Sequence, residues 1–284
     1  MIQTLMPPSF REPAHTVWQH HTDKSEVASS IDILGVPISA VSMTEACEQV
    51  VALVQHGGVH QIATVNPEFI MAAQRDRAFA DLLRNTTLNV PDGVGVLWAA
   101  RRMGRSLPER VAGVDLMERL CALGSQHRWR AFFLGAREGV AERAAALLAF
   151  KYNGLLISGA YAGSPRAEDE ADIVSRVRKA RPNLLFVAYG APAQDKWLAR
   201  NLPLIYPTER PYGELPGLVG MGVGGAFDFL AGAQQRAPRW IQDAGLEWLY
   251  RLLREPRRWR RQLALAHFVW HVMMESTRLT WRRR

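Results

Sequence analysis

The chain has little cysteine, little lysine and no long apolar run, and each shortage excludes a class of protein. Its 284 residues include two cysteines, Cys47 and Cys121, too few for a disulfide scaffold or a Cys-based zinc site and typical of a reducing compartment. No stretch reaches the ~18 apolar residues that a membrane span requires. Residues 1–30 lack the apolar segment of a secretory signal, and we expect them to form a flexible tail.

Several motifs of common enzyme classes are also missing. The sequence has no GxxxxGK[ST] phosphate loop, no HExxH and no GxSxG, and the glycines at 222–227 do not form a dinucleotide fingerprint after a first strand. An NTPase of that class and a nicotinamide dehydrogenase are therefore disfavoured. His267 and His271 are four residues apart, but nothing nearby completes a ligand set, so we expect no metal site.

The net charge is concentrated at one end of the chain. Residues 236–284 contain 12 arginines, no lysine and four acidic residues, which accounts for the whole net charge of +8. A neutral body with a basic tail indicates contact with phosphate groups, a nucleic acid or an anionic membrane face. Arginine favours bidentate phosphate contact. The alternative is a basic helix kept for solubility, because arginine outnumbers lysine 31 to 4 throughout the chain and its excess is not confined to the tail.

Short apolar runs alternate with amphipathic stretches from Ile31 to about Phe229. This alternation predicts an α/β fold with a doubly wound parallel sheet covered by helices. The predicted strands are 31–36, 60–65, 87–90, 130–135, 155–158, 183–190 and 218–224. The predicted helices are 43–56 (capped by Ser42 or Thr44), 67–84, 93–103, 114–126, 138–151, 168–181 and 192–201, with a Pro- and Gly-rich loop at 203–217.

Beyond Phe229 the pattern predicts two or three helices, with breaks at Pro238 and Pro256. The stretch 259–274 places tryptophans and aliphatic residues among arginines, which is typical of a helix in a membrane interface or an oligomer contact. Packing on the body of the protein is the alternative.

Ligands of open α/β sheets bind beyond the carboxyl ends of the strands. The residues at the predicted strand ends are Thr64, Asn66, Asp92, Gly135, Gly190 and the segment 222–228. Asp92 follows a strand directly and precedes two glycines, so its carboxylate could serve as a general base. The alternative is that Asp92 caps the helix at 93–103.

Taken together, a series of blocks resembles the WecG/TagA/CpsF glycosyltransferases, glycosyltransferase family 26, from about residue 31 to residue 261. The blocks are TVNPEFI (64–70), LNVPDGVGV (88–96), ERVAGVDL (109–116), FFLGAREGVA (132–141), YGAPAQDKW (189–197), GVGGAFDFLAG (222–232), QRAPRW (235–240) and GLEWLYRLLREPRRWRR (245–261).

The resemblance implies a Rossmann-like catalytic domain at 31–234 and an Arg-rich helical appendage at 235–284 that acts as a lid or in membrane association. It implies an inverting transfer of N-acetylmannosamine, or a related sugar, from a UDP-sugar to an undecaprenyl-diphosphate-linked acceptor, without a metal or other cofactor. The products would feed teichoic acid, common antigen, capsule or exopolysaccharide. The implied location is the bacterial cytoplasm, peripheral on the anionic inner face of the membrane, and a homo-oligomer is possible.

The resemblance also assigns residues. Asp92 matches the proposed base of the family, and Arg110 could bind a phosphate or a donor carboxylate. The further substrate-binding candidates are Thr64, Asn66, Gly135, Gly190, Gln194, Asp195, Arg236, Arg251, Arg254 and Arg257, with the arginines of the appendage expected to neutralise the pyrophosphate.

Two departures from the family pattern lie near this site. The family block P-K-Q-E reads Pro192 to Asp195 here, with alanine in place of the lysine and a shorter acid. An insertion at 208–217 could alter acceptor access. Two rival functions fit some of the residues: a catalytically idle membrane scaffold of the same family, and a nucleic-acid binder using the Arg-rich tail, which would leave the neutral α/β body unexplained.

Overall fold

A computed structural model of the chain describes residues 29–206, 215–238, 240–241, 247–254 and 259–282. Residues 1–28, which make up nearly all of the expected tail, lie outside these ranges. The strands are β1 (Ser30–Ile33), β2 (Val36–Ser39), β3 (Val59–Val65), β4 (Leu88–Pro91), β5 (Arg130–Gly135), β6 (Leu156–Tyr161), β7 (Leu184–Ala188) and β8 (Leu218–Gly222). The helices are α1 (Met43–His56), α2 (Pro67–Ala73), α3 (Arg77–Asn85), α4 (Val94–Arg102), α5 (Gly113–His127), α6 (Val140–Lys151), α7 (Ala167–Ala180), α8 (Ala193–Ile205), α9 (Ala226–Leu230), α10 (Glu247–Arg254) and α11 (Trp259–Arg282).

Six of the strands form one parallel sheet in the spatial order β4-β3-β8-β7-β5-β6, which confirms the predicted Rossmann-like architecture. Apolar side chains of α1, α5, α6 and α9 cover one face of the sheet. The other face is covered by α7 and α8 over one half and by α2, α3 and α4 over the other. Because helices cover both faces, the central strands are continuous apolar runs.

The first predicted strand is wrong in its extent and its partner. Residues 31–36 do not join the parallel sheet; they contribute to an antiparallel hairpin formed by β1 and β2. Its turn places Leu34 and Gly35 at φ +52° and +79°, and the Gly35 N–H donates to Asp32 Oδ1 at 2.8 Å. Leucine is rarely found with a positive φ, so a turn beginning at Leu34 was not expected within the run 31–36.

Two predicted helices also differ from the structure. The stretch 67–84 is two helices, because the Asp76 side chain accepts a hydrogen bond from the Phe79 N–H and starts α3. Helix α8 continues through Pro203 to Ile205 instead of ending at residue 201, since its last turn buries Leu202 and Ile205. Of the two candidate caps of α1, Ser42 and Thr44, the structure has Ser42, which forms a complete capping box with Glu45.

The C-terminal helix α11 packs on the body of the protein, as one of the two alternatives predicted. Phe268 and Val272 are fully buried in the cluster formed with α2 and α4. No helix in the described part of the chain is both long enough and apolar enough to cross a membrane. The assignment of residues 235–284 to a separate appendage stays a prediction.

Candidate active site

The carboxyl ends of β3, β4, β5, β7 and β8 meet at one edge of the sheet, because all five strands run parallel. This edge therefore brings together the residues that follow distant strands of the sequence. They are Thr64 near the end of β3, Asn66 after it, Asp92 after β4, Gly135 at the end of β5, Gly190 after β7 and the segment 222–228, which begins with the last residue of β8. Their roles in binding and catalysis stay predictions.

Asp92 occupies the first position after β4. Its backbone N–H donates to the Val65 carbonyl at 2.8 Å, which fixes Asp92 beside the end of β3. Helix α4 begins at Val94 with Gly93 at the N-cap position, and no side chain caps the helix. The N-cap residue is therefore Gly93, and the alternative that Asp92 occupies the N-cap position of this helix is wrong.

Thr64 and Asn66 both hold local structure at this edge. Thr64 is buried, and its hydroxyl donates to the Gly222 carbonyl at 3.5 Å, linking the ends of β3 and β8. The Asn66 side-chain oxygen accepts the Phe69 N–H at 3.1 Å and caps α2. Helix α2 therefore begins next to the residue pair in which Asp92 donates to Val65. Substrate contact by the Thr64 or the Asn66 side chain stays a prediction.

Arg236 lies in a network of charges beside Asp92. Its guanidinium donates to both carboxylate oxygens of Asp115, at 2.5 and 2.8 Å. Glu247, on α10, approaches Arg110 at 3.7 Å and Arg236 at 3.8 Å. Hydrogen bonding to Asp115 raises the pKa of Arg236 against the opposing effect of burial, and the charges of Asp115, Glu247 and Asp92 add to this rise. Arg236 therefore stays cationic beside the candidate base.

The pKa of Asp115 shows the strength of this pairing. Burial by itself would raise the pKa, but the hydrogen bonds and charge of Arg236, together with Arg110, hold it below its usual value. Asp115 and Glu247 were missed as site residues by the sequence analysis. Both belong to blocks that carry the family resemblance, ERVAGVDL and GLEWLYRLLREPRRWRR, which was the available signal.

Gln194 holds two loops of the same edge. Its side-chain oxygen accepts the Gly190 N–H at 3.1 Å and the Gly224 N–H at 2.9 Å. Gln194 is 2% exposed, so its amide lies beneath the loops that follow β7 and β8. The structure therefore gives Gln194 a contact with the loop backbone, and a contact with substrate stays a prediction.

Asp195 is fully buried in the first turn of α8. Neither of its carboxylate oxygens has a hydrogen-bond partner among the described residues. Burial raises the pKa of Asp195 to about 7, although its own backbone amide and Gln194 oppose that rise. Like Gln194, it lies beneath the surface of the edge.

The two predicted glycines, Gly135 and Gly190, have different surroundings. Gly135 has φ +108°, and a Cβ there would lie within 2.9 Å of the Ala188 backbone, so close packing of β5 against β7 requires it. Gly190 has φ +78° with open space where a Cβ would lie. Only the second borders room for a ligand.

Of the three predicted arginines that follow Arg236 in the appendage, Arg254 is the one whose side chain lies within the described residues. Arg254 is exposed; it donates to Gln235 Oε1 at 3.4 Å and to the Tyr250 hydroxyl at 3.1 Å. Arg251 belongs to α10, but its side chain lies outside the described residues, as does the whole of Arg257. Residues 207–214, most of the apparent insertion, also lie outside them.

Groups of three or more His, Cys, Asp or Glu side chains arranged to hold a metal ion do not occur within the described ranges. Independence from metal ions stays an expectation, to be tested by chelation.

The sequence of this chain is similar to those of known proteins. The family model described as the Glycosyl transferase WecG/TagA/CpsF family matches residues 31–282. The N-acetylglucosaminyldiphosphoundecaprenol N-acetyl-beta-D-mannosaminyltransferase of Bacillus subtilis (strain 168) is 32% identical over 215 residues, covering 76% of this chain and 79% of that protein. The protein of the same name from Staphylococcus aureus (strain MW2) is 28% identical over 246 residues, covering 86% and 92%. The chain therefore belongs to the glycosyltransferases of the WecG/TagA/CpsF family.

Proposed function

We propose that this protein transfers N-acetylmannosamine, or a closely related sugar, from a UDP-sugar to an undecaprenyl-diphosphate-linked acceptor. One observation carries the proposal. Asp92 directly follows β4 at the ligand-binding edge of the sheet, and its charge acts on the cationic Arg236 nearby. The names of the relatives supply the sugar and the lipid-linked acceptor.

The reaction is a single displacement with inversion at the anomeric carbon. Asp92 takes the proton of the acceptor hydroxyl as its oxygen forms a bond to the anomeric carbon of the donor sugar. The bond between that carbon and the diphosphate oxygen breaks, and UDP leaves with the electron pair. A base on one side and stabilisation of the leaving group on the other are the two requirements of this step.

Arginines stabilise the departing diphosphate in this proposal. Arg110 contacts Glu247 at 3.7 Å, longer than a hydrogen bond, so its guanidinium can turn toward an arriving phosphate at small cost. Arg236 is held bidentately by Asp115 and contributes its charge from a fixed position. With these cations and those of the appendage, we expect the reaction to need no metal ion.

The acceptor is anchored in a membrane, and the outer face of α11 suits contact with one. Opposite the buried Phe268 and Val272, a stripe of apolar side chains is exposed to solvent. Its members are Leu263, Val269, Trp270, Met273 and Met274. An amphipathic helix with tryptophan on its apolar side and arginines near it binds anionic bilayers from one side. This face of α11 supports our proposal that the protein works on the inner face of the membrane and contributes to a cell-surface polysaccharide.

The test is UDP release from a panel of UDP-sugars with a synthetic GlcNAc-diphospho-lipid acceptor, with and without EDTA. We expect acceptor-dependent release from UDP-N-acetylmannosamine above the other donors, unchanged by EDTA. Release that disappears with EDTA would overturn the metal-free mechanism. Absence of release from every donor would overturn the proposed transfer and favour the scaffold alternative.

A further inference from the structure

The Asp195 side chain is enclosed to an unusual degree for a carboxyl group. It is fully buried, and its two oxygens have no hydrogen-bond partner in the described part of the chain. Gly222 of β8 makes the enclosure tight: a Cβ at residue 222 would lie 2.5 Å from Gln194 Nε2 and 2.9 Å from Asp195 Oδ1. From the other side, Gln61 of β3 donates to the Asp195 backbone carbonyl at 3.0 Å. The first turn of α8 is thus clamped between β3 and β8.

Asp195 is connected to the ligand-binding edge through Gln194. The amide nitrogen of Gln194 lies on the same side as the Asp195 carboxyl, against Gly222. The amide oxygen of Gln194 accepts the N–H groups of Gly190 and Gly224, one from each loop that borders the edge. Any displacement of Gln194 toward Asp195 or away from it therefore changes the position of both loops.

An ionised Asp195 would have no countercharge next to it among the described residues, because the charged groups of the neighbouring elements pair with one another. Strands β7 and β8, beneath α8, carry no ionisable side chain. Among the ionisable groups of α3, α7, α8 and β3, several are already paired. The contacts are Lys196–Asp76 at 2.5 Å, Arg200–Glu170 at 3.1 Å, Arg84–Asp81 at 2.6 Å, Arg176–Asp172 at 3.4 Å and His60–Gly57 carbonyl at 2.9 Å. A buried charge without a partner is relieved when water enters.

We propose that Asp195 is a positioning residue that acts through its protonation state: neutral, it keeps Gln194 on the Gly190 and Gly224 amides, and ionised, it draws water into the enclosure and loosens both loops. The pKa of Asp195, raised to about 7 by burial, places this change within the range in which a cell operates. Tight binding of the donor therefore requires a protonated Asp195, and donor affinity falls as the pH rises above 7.

The first experiment measures donor binding and rests on the proposed function for the choice of ligand. UDP-N-acetylmannosamine serves as the probe because its diphosphate diester does not titrate near neutral pH. Its Kd, measured by calorimetry on the full chain, should rise roughly 25-fold between pH 6.5 and pH 8.5, since binding requires the protonated form of one group with a pKa of about 7. In Asp195→Asn, which is neutral throughout, the Kd should stay constant, whereas Asp172→Asn, the same change at an exposed site on α7, should keep the wild-type profile.

The second experiment does not depend on the donor. Hydrogen exchange of the backbone amides of Gly190 and Gly224, corrected for the intrinsic pH dependence of exchange, should accelerate above pH 7 in the wild type and not in Asp195→Asn. Equal profiles in the two proteins would overturn the inference, whatever the donor does. The expected exchange profile without donor binding at any pH would leave the inference standing and overturn the proposed function. If Asp195→Asn does not fold, Asp195→Ala takes its place, and exchange of the two amides should likewise not accelerate above pH 7.

Discussion

Replacement of Asp195 by asparagine should make the protein more stable at alkaline pH. The carboxyl has a pKa of about 7 in the folded protein against 3.8 for an unperturbed aspartate. Because the pKa is raised in the folded protein, protonation of Asp195 favours the folded state. This contribution to the free energy of unfolding is complete below pH 3.8 and is lost as the pH rises to 7. Above that pH the folded wild type carries the full free-energy cost of a buried, ionised Asp195. The cost is about 4 kcal/mol, at roughly 1.4 kcal/mol for each unit of pKa.

The measurement is urea denaturation of the wild type and of Asp195→Asn at pH 5 and at pH 8, followed by tryptophan fluorescence. At pH 5 only about 1.5 kcal/mol of the cost is present, so the stability difference between the two proteins should widen by about 3 kcal/mol at pH 8. Packing differences between aspartate and asparagine are the same at both pH values and cancel in this comparison.

Asp172→Asn removes an exposed carboxylate from α7 and controls for the loss of one negative charge. A stability difference that is the same at pH 5 and pH 8 in Asp195→Asn would refute the reasoning. It would mean that the buried carboxyl titrates as it does in the unfolded chain, and that its enclosure is open to water.

Three further predictions concern catalysis and the C-terminal helices. Asp92→Asn should leave donor binding nearly intact and reduce turnover ~10²–10⁴-fold, as expected for a lost general base; wild-type turnover would remove Asp92 from this role. Truncation after Gln234 should abolish transfer and weaken binding to anionic liposomes, and the binding of the full chain should fall as salt is added. A fully active truncated protein would show that these helices are not a lid. Phe268→Ala should cost about 3–5 kcal/mol of unfolding free energy by removing a buried ring between α11 and the body, whereas Trp270→Ala, 58% exposed, should lower liposome binding at unchanged stability. Equal effects of the two substitutions on stability would contradict the orientation of α11.

Much of the site could be predicted because its placement follows from chain order and strand direction. Parallel strands separated by helices must present their carboxyl ends at one edge, so Thr64, Asp92 and Gly190 could be grouped without coordinates. Local signals reduced the cap of α1 to Ser42 or Thr44, and the structure has Ser42, three residues before Glu45. The hairpin of β1 and β2 was missed because its turn uses Leu34, a residue without turn preference.

The sequence alone therefore determined the family, the parallel α/β sheet and the edge at which ligands bind, because these depend on periodic apolar patterns and on short blocks of residues. The tertiary structure alone decided which polar groups are paired and which are enclosed. The bidentate contact of Arg236 with Asp115 joins positions 121 residues apart, and the contact of Gln194 with Gly224 joins two different loops. Asp195 has an ordinary sequence environment, and its raised pKa arises because three elements distant in the chain exclude water from one carboxyl group.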